Sequence, residues 1–315
     1  MHLPKPRGDF SERVLAALGT GDITSLAGLP TPASDEDAAI ALWCLYELSY
    51  RGFDDVDDRL EWAPELLAVR RELEEDLEAR LRGRWSGPPS YEGDFAAAFF
   101  AAVEAHEGPS LARFVQSVAT ADQVMELLQA RSIYHLKESD PVAFSVPRLP
   151  TAPRASLMEL QYDEYGAGRP ERLHAHLFAD GLAALGLDAA EGAYIDQAPL
   201  PVLEQNNAMS LFGLHRRLRG ASVGHLAAFE ATSSGPCRRM ARGLERLGMA
   251  PEMRAYYEEH VEADAVHEQL AVLMICQPLI EAEPATEADV WFGGLTCLDL
   301  EDRVASHYLE RWGVA

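Results

Sequence analysis

In segment after segment of this chain, apolar residues recur every three or four positions, and alternating runs of β-branched residues are nearly absent. That pattern gives a helix a stripe to bury and gives a strand no face, so the fold class it allows is all-α. Ser34, at the head of SDEDAAIALWCLYELSYRGF, is placed to cap a first long helix. In APELLAVRRELEEDLEARLRG, Pro64 suits a first helical turn and Gly83 an end. Further helices are expected near 94–107, 110–139, 154–166, 170–185, 199–217, 220–232, 236–247, 251–281 and 286–313, most of them separated by Gly or Pro. The densest Gly/Pro/Ser stretch, GRWSGPPSYEGD at 83–94, reads as a linker between an N-terminal helical extension, 1–90, and a helical bundle, 91–315.

Charge and cysteine usage remove several function classes. A formal charge of -24 opposes a nucleic-acid partner, because phosphate binding needs a basic face. Acidic runs such as DDVDD and ELEEDLEAR read most simply as solvated helix faces. The 4 cysteines lie far apart with no C-x-x-C pair, which argues against a zinc ribbon, an iron–sulfur site or a disulfide scaffold. No run approaches the roughly 18–20 apolar residues of a membrane span, and MHLPKPRGDF lacks the apolar core of a signal peptide. A cytoplasmic protein with no membrane partner is the expectation.

One stripe stands out. In HVEADAVH, residues 260–267, the positions i, i+4 and i+7 fall within an arc of about 60° on a helix. His260, Asp264 and His267 therefore project together, beside apolar Val261, Ala265 and Val266 and ahead of the apolar run LAVLMIC. A polar stripe with such a continuation is costly to bury unless something satisfies it, and a metal ion does so well. A solvated face or a salt-bridged pair would also explain one stripe, so other helices must bring ligands. RSIYHLKESDP supplies Glu138 near the end of a long helix, and ELQYDEYGAGRPERLHAHLF supplies Glu164, Glu171, His174 and His176.

Taken in order, YHLKESDPVAFSVPRL, DEYGAGRPERLHAHLF and HVEADAVH resemble the heme-oxygenase-like diiron oxidases, the iron-containing redox enzymes. The resemblance covers roughly residues 95–315. It implies a seven-helix heme-oxygenase-like bundle with six metal ligands: Glu138, Glu164, His174, His260, Asp264 and His267. It implies two ferrous ions per chain, dioxygen as cosubstrate, an external reductant and no heme. A division with Glu138, His174 and His267 around one ion and Glu164, His260 and Asp264 around the other is expected.

The residues alone leave a competitor open. Glu171 and His174 form an E-x-x-H pair that would share one helical face. On a regular helix Glu164 and His174 would stand about 15 Å apart. Gly166, Gly168 and Pro170 make a break between them credible. His135, one turn before Glu138, could support it, but like His176 it is expected to be structural; Glu230 in FEATSSGP fits either an irregular helix end near the pocket or a plain break before Pro236. The implied reaction is oxidation of a small, amino-acid-derived metabolite by N-oxygenation, oxidative C–C or C–N cleavage, or desaturation. The alternatives are an aliphatic-acid oxidative decarboxylase and a non-catalytic iron-storage or partner protein. A homodimer is the base-rate expectation.

Overall fold

The computed structural model describes the backbone of residues 1–314 and the side chains of all of these except residues 262–265. Among the described residues there is no strand. The extension contributes α1 (Asp9–Thr20), α2 (Asp35–Glu47) and α3 (Pro64–Gly83). Ser34 caps α2 by accepting the Asp37 N–H, and Pro64 opens α3. The acidic runs expected as solvated helix faces are only partly so: 54–57 form a turn, and Glu74 in α3 is buried. The body follows with α4 (Phe95–Glu104), α5 (Leu111–Ser117), α6 (Ala121–His135), the single turn α7 (Asp140–Ala143) and α8 (Thr151–Glu164). Then come α9 (His174–Ala184), α10 (Leu200–Leu214), α11 (Arg219–Arg246), α12 (Pro251–Gln269), α13 (Gln277–Ala282) and α14 (Glu287–Arg311).

Three expectations from periodicity need correcting. The helix expected over 110–139 is two helices, because Thr120 and Gln123 form a reciprocal capping box that starts α6 afresh. The two helices expected around Pro236 are one, α11, with the proline inside it. There the Thr232 hydroxyl donates to the Ala228 carbonyl and the Ser233 hydroxyl to the Glu230 carbonyl. The run LAVLMIC does not continue α12 as a regular helix. Leu270–Cys276 widens into a π-helix just ahead of Pro278, whose ring nitrogen has no proton for an α-helical carbonyl.

The helix α11 is the central rod, flanked by α12 and α14. Its approach to α14 is close enough to exclude side chains. A Cβ on Gly224 would stand 2.0 Å from the Val290 carbonyl oxygen, and one on Gly293 would stand 2.0 Å from that of Ala221. Two apolar cores result. The larger runs from Phe10 through Trp43 and Leu81 to Phe178, Tyr256 and Leu309, so the extension is packed against the body. The smaller joins Phe95, Phe99, Leu157, Leu160, Ala227, Ile275 and Trp291. Residues 85–94 are coil, yet Trp85 lies against Phe292 and Tyr91 against Trp291. No helix among the described residues is long and apolar enough to cross a membrane.

Candidate metal centre

Buried acids and imidazoles meet where the two cores adjoin. Glu138 is not on a helix but in the turn between α6 and α7. Glu164 is the last residue of α8 and His174 the first of α9, and the chain between them is broken into two short 3-10 turns. That break is what the glycines make possible. Gly166 has φ +70°, and a Cβ there would stand 2.6 Å from the backbone nitrogen of Leu173. The break swings His174 back toward Glu164, leaving 3.2 Å between His174 Nδ1 and Glu164 Oε2. Glu171 ends in solvent, so the E-x-x-H alternative is not formed.

From α12, His260 and His267 enter the same space. His260 Nδ1 donates to the Tyr256 carbonyl at 2.8 Å, which turns Nε2 toward Glu138 Oε1, 3.7 Å away. His267 Nδ1 is 3.3 Å from Glu164 Oε1 and 3.7 Å from a carboxylate oxygen of Glu230, which α11 supplies. The side chain of Asp264 lies outside the described residues. Two triads emerge, Glu138–His174–His260 and Glu164–Glu230–His267, each offering three ligand atoms within 4.8 Å of one another. The grouping differs from the expected division: His260 stands with Glu138 and His174, and His267 with Glu164. The triads share a wall, since the rings of His174 and His260 are 4.5 Å apart and His174 reaches Glu164.

The donors fit a cation. Glu138 Oε1, His174 Nδ1 and His267 Nδ1 are buried with no hydrogen-bond partner among the described residues. Stranding such atoms is expensive unless an ion takes them up. Bonds of about 2.0–2.2 Å to N and O ligands place donors around one ion up to about 4.4 Å apart, close to the spacing found. Without a metal the charges are balanced by protons. Burial disfavours the charged His267 ring, but the Glu164 and Glu230 carboxylates beside it outweigh this and raise its pKa to about 11. Burial likewise opposes ionisation of Glu138, yet the His135 and His260 rings hold it down at about 2. Carboxylates this acidic are ready-made anionic ligands, and a metal would replace the protons on the rings.

Two neighbours support Glu138. His135, expected to be structural, places Nδ1 3.0 Å from Glu138 Oε2, and the Tyr256 hydroxyl donates to that same oxygen at 2.8 Å. Tyr256 lies one turn before His260 on the same stripe, so extending the stripe backwards finds it. Glu230 was legible only as part of an irregular-looking FEATSSGP. His176 pairs loosely with Asp180 on the surface, as a structural histidine would.

A void of about 20 Å³ lies between Tyr134, Glu138, Glu164, Phe229, Glu230 and His260. Beyond Phe229 and His135 opens a cavity of about 320 Å³, walled by α5, α6, α11, α12 and α14. Leu111, Leu127, Met240 and Leu298 make much of its lining apolar, and the partly buried Arg131–Glu301 ion pair lines it as well.

The family model for iron-containing redox enzymes matches residues 125–302, which include every residue of both triads. The chain belongs to this family. Nitrosourea synthase from Streptomyces achromogenes subsp. streptozoticus is 27% identical over 147 residues, 47% of this chain and 31% of that enzyme. The chain thus spans about a third of the length of the curated relative it matches. The crystal structure of a CADD-like protein of unknown function from Nostoc punctiforme superimposes with a TM-score of 0.50 at 14% identity, covering 76% of this chain and 97% of that one. At that identity the likeness shows the fold, which is the heme-oxygenase-like all-α bundle. This iron-containing redox enzyme therefore carries its donor set on four helices and one turn of that bundle.

Proposed function

We propose that the chain is a dioxygen-dependent non-heme diiron oxidoreductase that oxidises a small, amino-acid-derived metabolite. The observation that carries this reading is the pair of adjoining buried triads with stranded ligand atoms. Glu138, His174 and His260 would hold one ferrous ion, and Glu164, Glu230 and His267 the other, with Asp264 as a further ligand. When bound, the ferrous pair supplies electrons for reducing dioxygen, and an external reductant restores them.

The rest is done by the protein. The imidazole of His135 and the hydroxyl of Tyr256 fix one oxygen of Glu138 and leave the other aimed into the site. Val142, Leu160 and Phe229 exclude water from the space between the acids. The 320 Å³ cavity has the size of a small-ligand pocket and ends at His135 and Phe229, next to the donors. Because the curated relative is a nitrosourea synthase, oxidation at nitrogen is the outcome we place first, ahead of C–C or C–N cleavage and desaturation. Oxidation of an aliphatic acid in the same cavity is the runner-up.

The test supplies reconstituted protein with ferrous iron, a reductant, oxygen and a panel of amino acids and aliphatic acids, and follows products by mass. A product heavier by one oxygen atom from an amine supports the first outcome. Retention of many more than two ions per chain, with no substrate consumed, would establish iron storage instead. Failure to hold any transition metal would remove the reading altogether.

A further inference from the structure

Glu138 is carried by a turn, not by a helix, so something else must hold it in place. On one side the turn is tied to α8. The Ser139 hydroxyl donates to Glu164 at 2.9 Å, and Asp140 accepts from the Tyr165 hydroxyl. The other side faces the N-terminal extension. Lys137, next to Glu138 and only 8% exposed, runs into α2, where its ammonium donates to the carboxylate of Glu47, itself 2% exposed. The same ammonium stands 4.6 Å from the ring centre of Tyr50 and 5.4 Å from that of Trp43. Trp43, Glu47 and Tyr50 follow one another at helical spacing and form a cup for one cation.

The cup is itself anchored. Asn207 of α10 donates to the Ala39 carbonyl in α2, and the Tyr50 hydroxyl meets that of Ser210 at 3.0 Å. We infer that the N-terminal extension is a working part of the metal centre: Glu47, with Trp43 and Tyr50, is a positioning group that grips Lys137 and thereby aims Glu138. The inference rests on the diiron reading above and goes beyond the matched family region, which begins at residue 125. A buried ion pair contributes little net stability compared with apolar replacements, so its use here is geometric.

The test is anaerobic titration of the full chain with ferrous iron, read by bound metal and by the near-infrared circular dichroism of the ions. Wild type is expected to hold two ions. The double variant Glu47→Gln/Lys137→Met leaves no unpaired charge in the core and is expected to keep the helical spectrum. It should bind one ion as wild type does and the second 10- to 100-fold more weakly, the loss usual when a supporting partner of a ligand is removed. Val14→Ala, a core deletion elsewhere in the extension, should lower the unfolding midpoint and leave both affinities unchanged. Glu47→Asp keeps the charge on a shorter arm and tests the same point should the double variant not fold; weaker binding of the second ion supports the grip. Wild-type affinity for both ions in the double variant or in Glu47→Asp overturns the inference and leaves the diiron reading standing. A wild-type chain that binds no iron overturns both.

Discussion

Glu230 and Glu171 show how far a residue's neighbours decide its role. Both are glutamates close in sequence to a site histidine or to a suspected helix break, yet one is buried beside His267 and the other is in solvent. Glu230→Ala removes a ligand and is expected to weaken iron binding at the His267 triad by more than the roughly 10- to 100-fold that loss of a supporting partner costs, with the helical spectrum retained, whereas Glu171→Ala should leave both affinities intact. Anaerobic titration of the two variants checks this; equal losses would mean that the triads are wrongly drawn. Spacing made His260 and His267 legible, because one helix carries them and a period of 3.6 fixes their common face. The gathering of Glu138, Glu164 and His174 was legible only by resemblance, since each comes from a different segment. Glu230 reaches the site by the packing of α11 against α12, and no local pattern encodes which side of a central helix will meet which neighbour.

Among the elements, the break between α8 and α9 matters most to the centre. Gly166 and Gly168 both adopt positive φ, +70° and +77°, but only at Gly166 would a Cβ meet backbone, at 2.6 Å. Gly168→Ala should therefore cost about 1 kcal/mol of left-handed strain. Gly166→Ala adds a clash with Leu173 and Arg172 that requires the segment to move, and should cost about 3 kcal/mol and displace His174. Urea unfolding of the two variants, with iron titration alongside, distinguishes a difference in strain alone from a shift of the ligand. This break could be read from G-A-G-R-P because those residues oppose a helix by their own stereochemistry. Pro236 misled for the complementary reason: a helix packed along much of its length tolerates one missing N–H, and α11 lies between α12 and α14. The split of 110–139 was encoded in Thr120 and Gln123, a capping box without a Gly or Pro to mark it.

At the scale of the whole molecule, acid stability sets a buried histidine against the net charge. With a formal charge of -24 and an isoelectric point near 4.7, lowering the pH relieves self-repulsion and favours the folded chain, an effect that salt screens. His225 acts the other way. Burial in α11 disfavours its charged form, and the nearby Glu301 only partly offsets this, so its pKa falls from 6.5 to about 4. The unfolded chain takes up that proton first. The stability due to neutral His225 is therefore complete above pH ~6.5, declines as the pH drops, and is gone below the folded value of about 4. The full amount is about 3 kcal/mol. His225→Leu, beside a void of about 30 Å³ with room for a methyl group, removes the titration and keeps an apolar side chain. Urea unfolding at pH 7.5, 6, 5 and 4 in moderate salt should show the wild type losing about 3 kcal/mol more than the variant across that range. Both chains share the net charge and the acidic ligands, so their difference isolates the imidazole; parallel curves would show that His225 binds its proton as readily folded as unfolded.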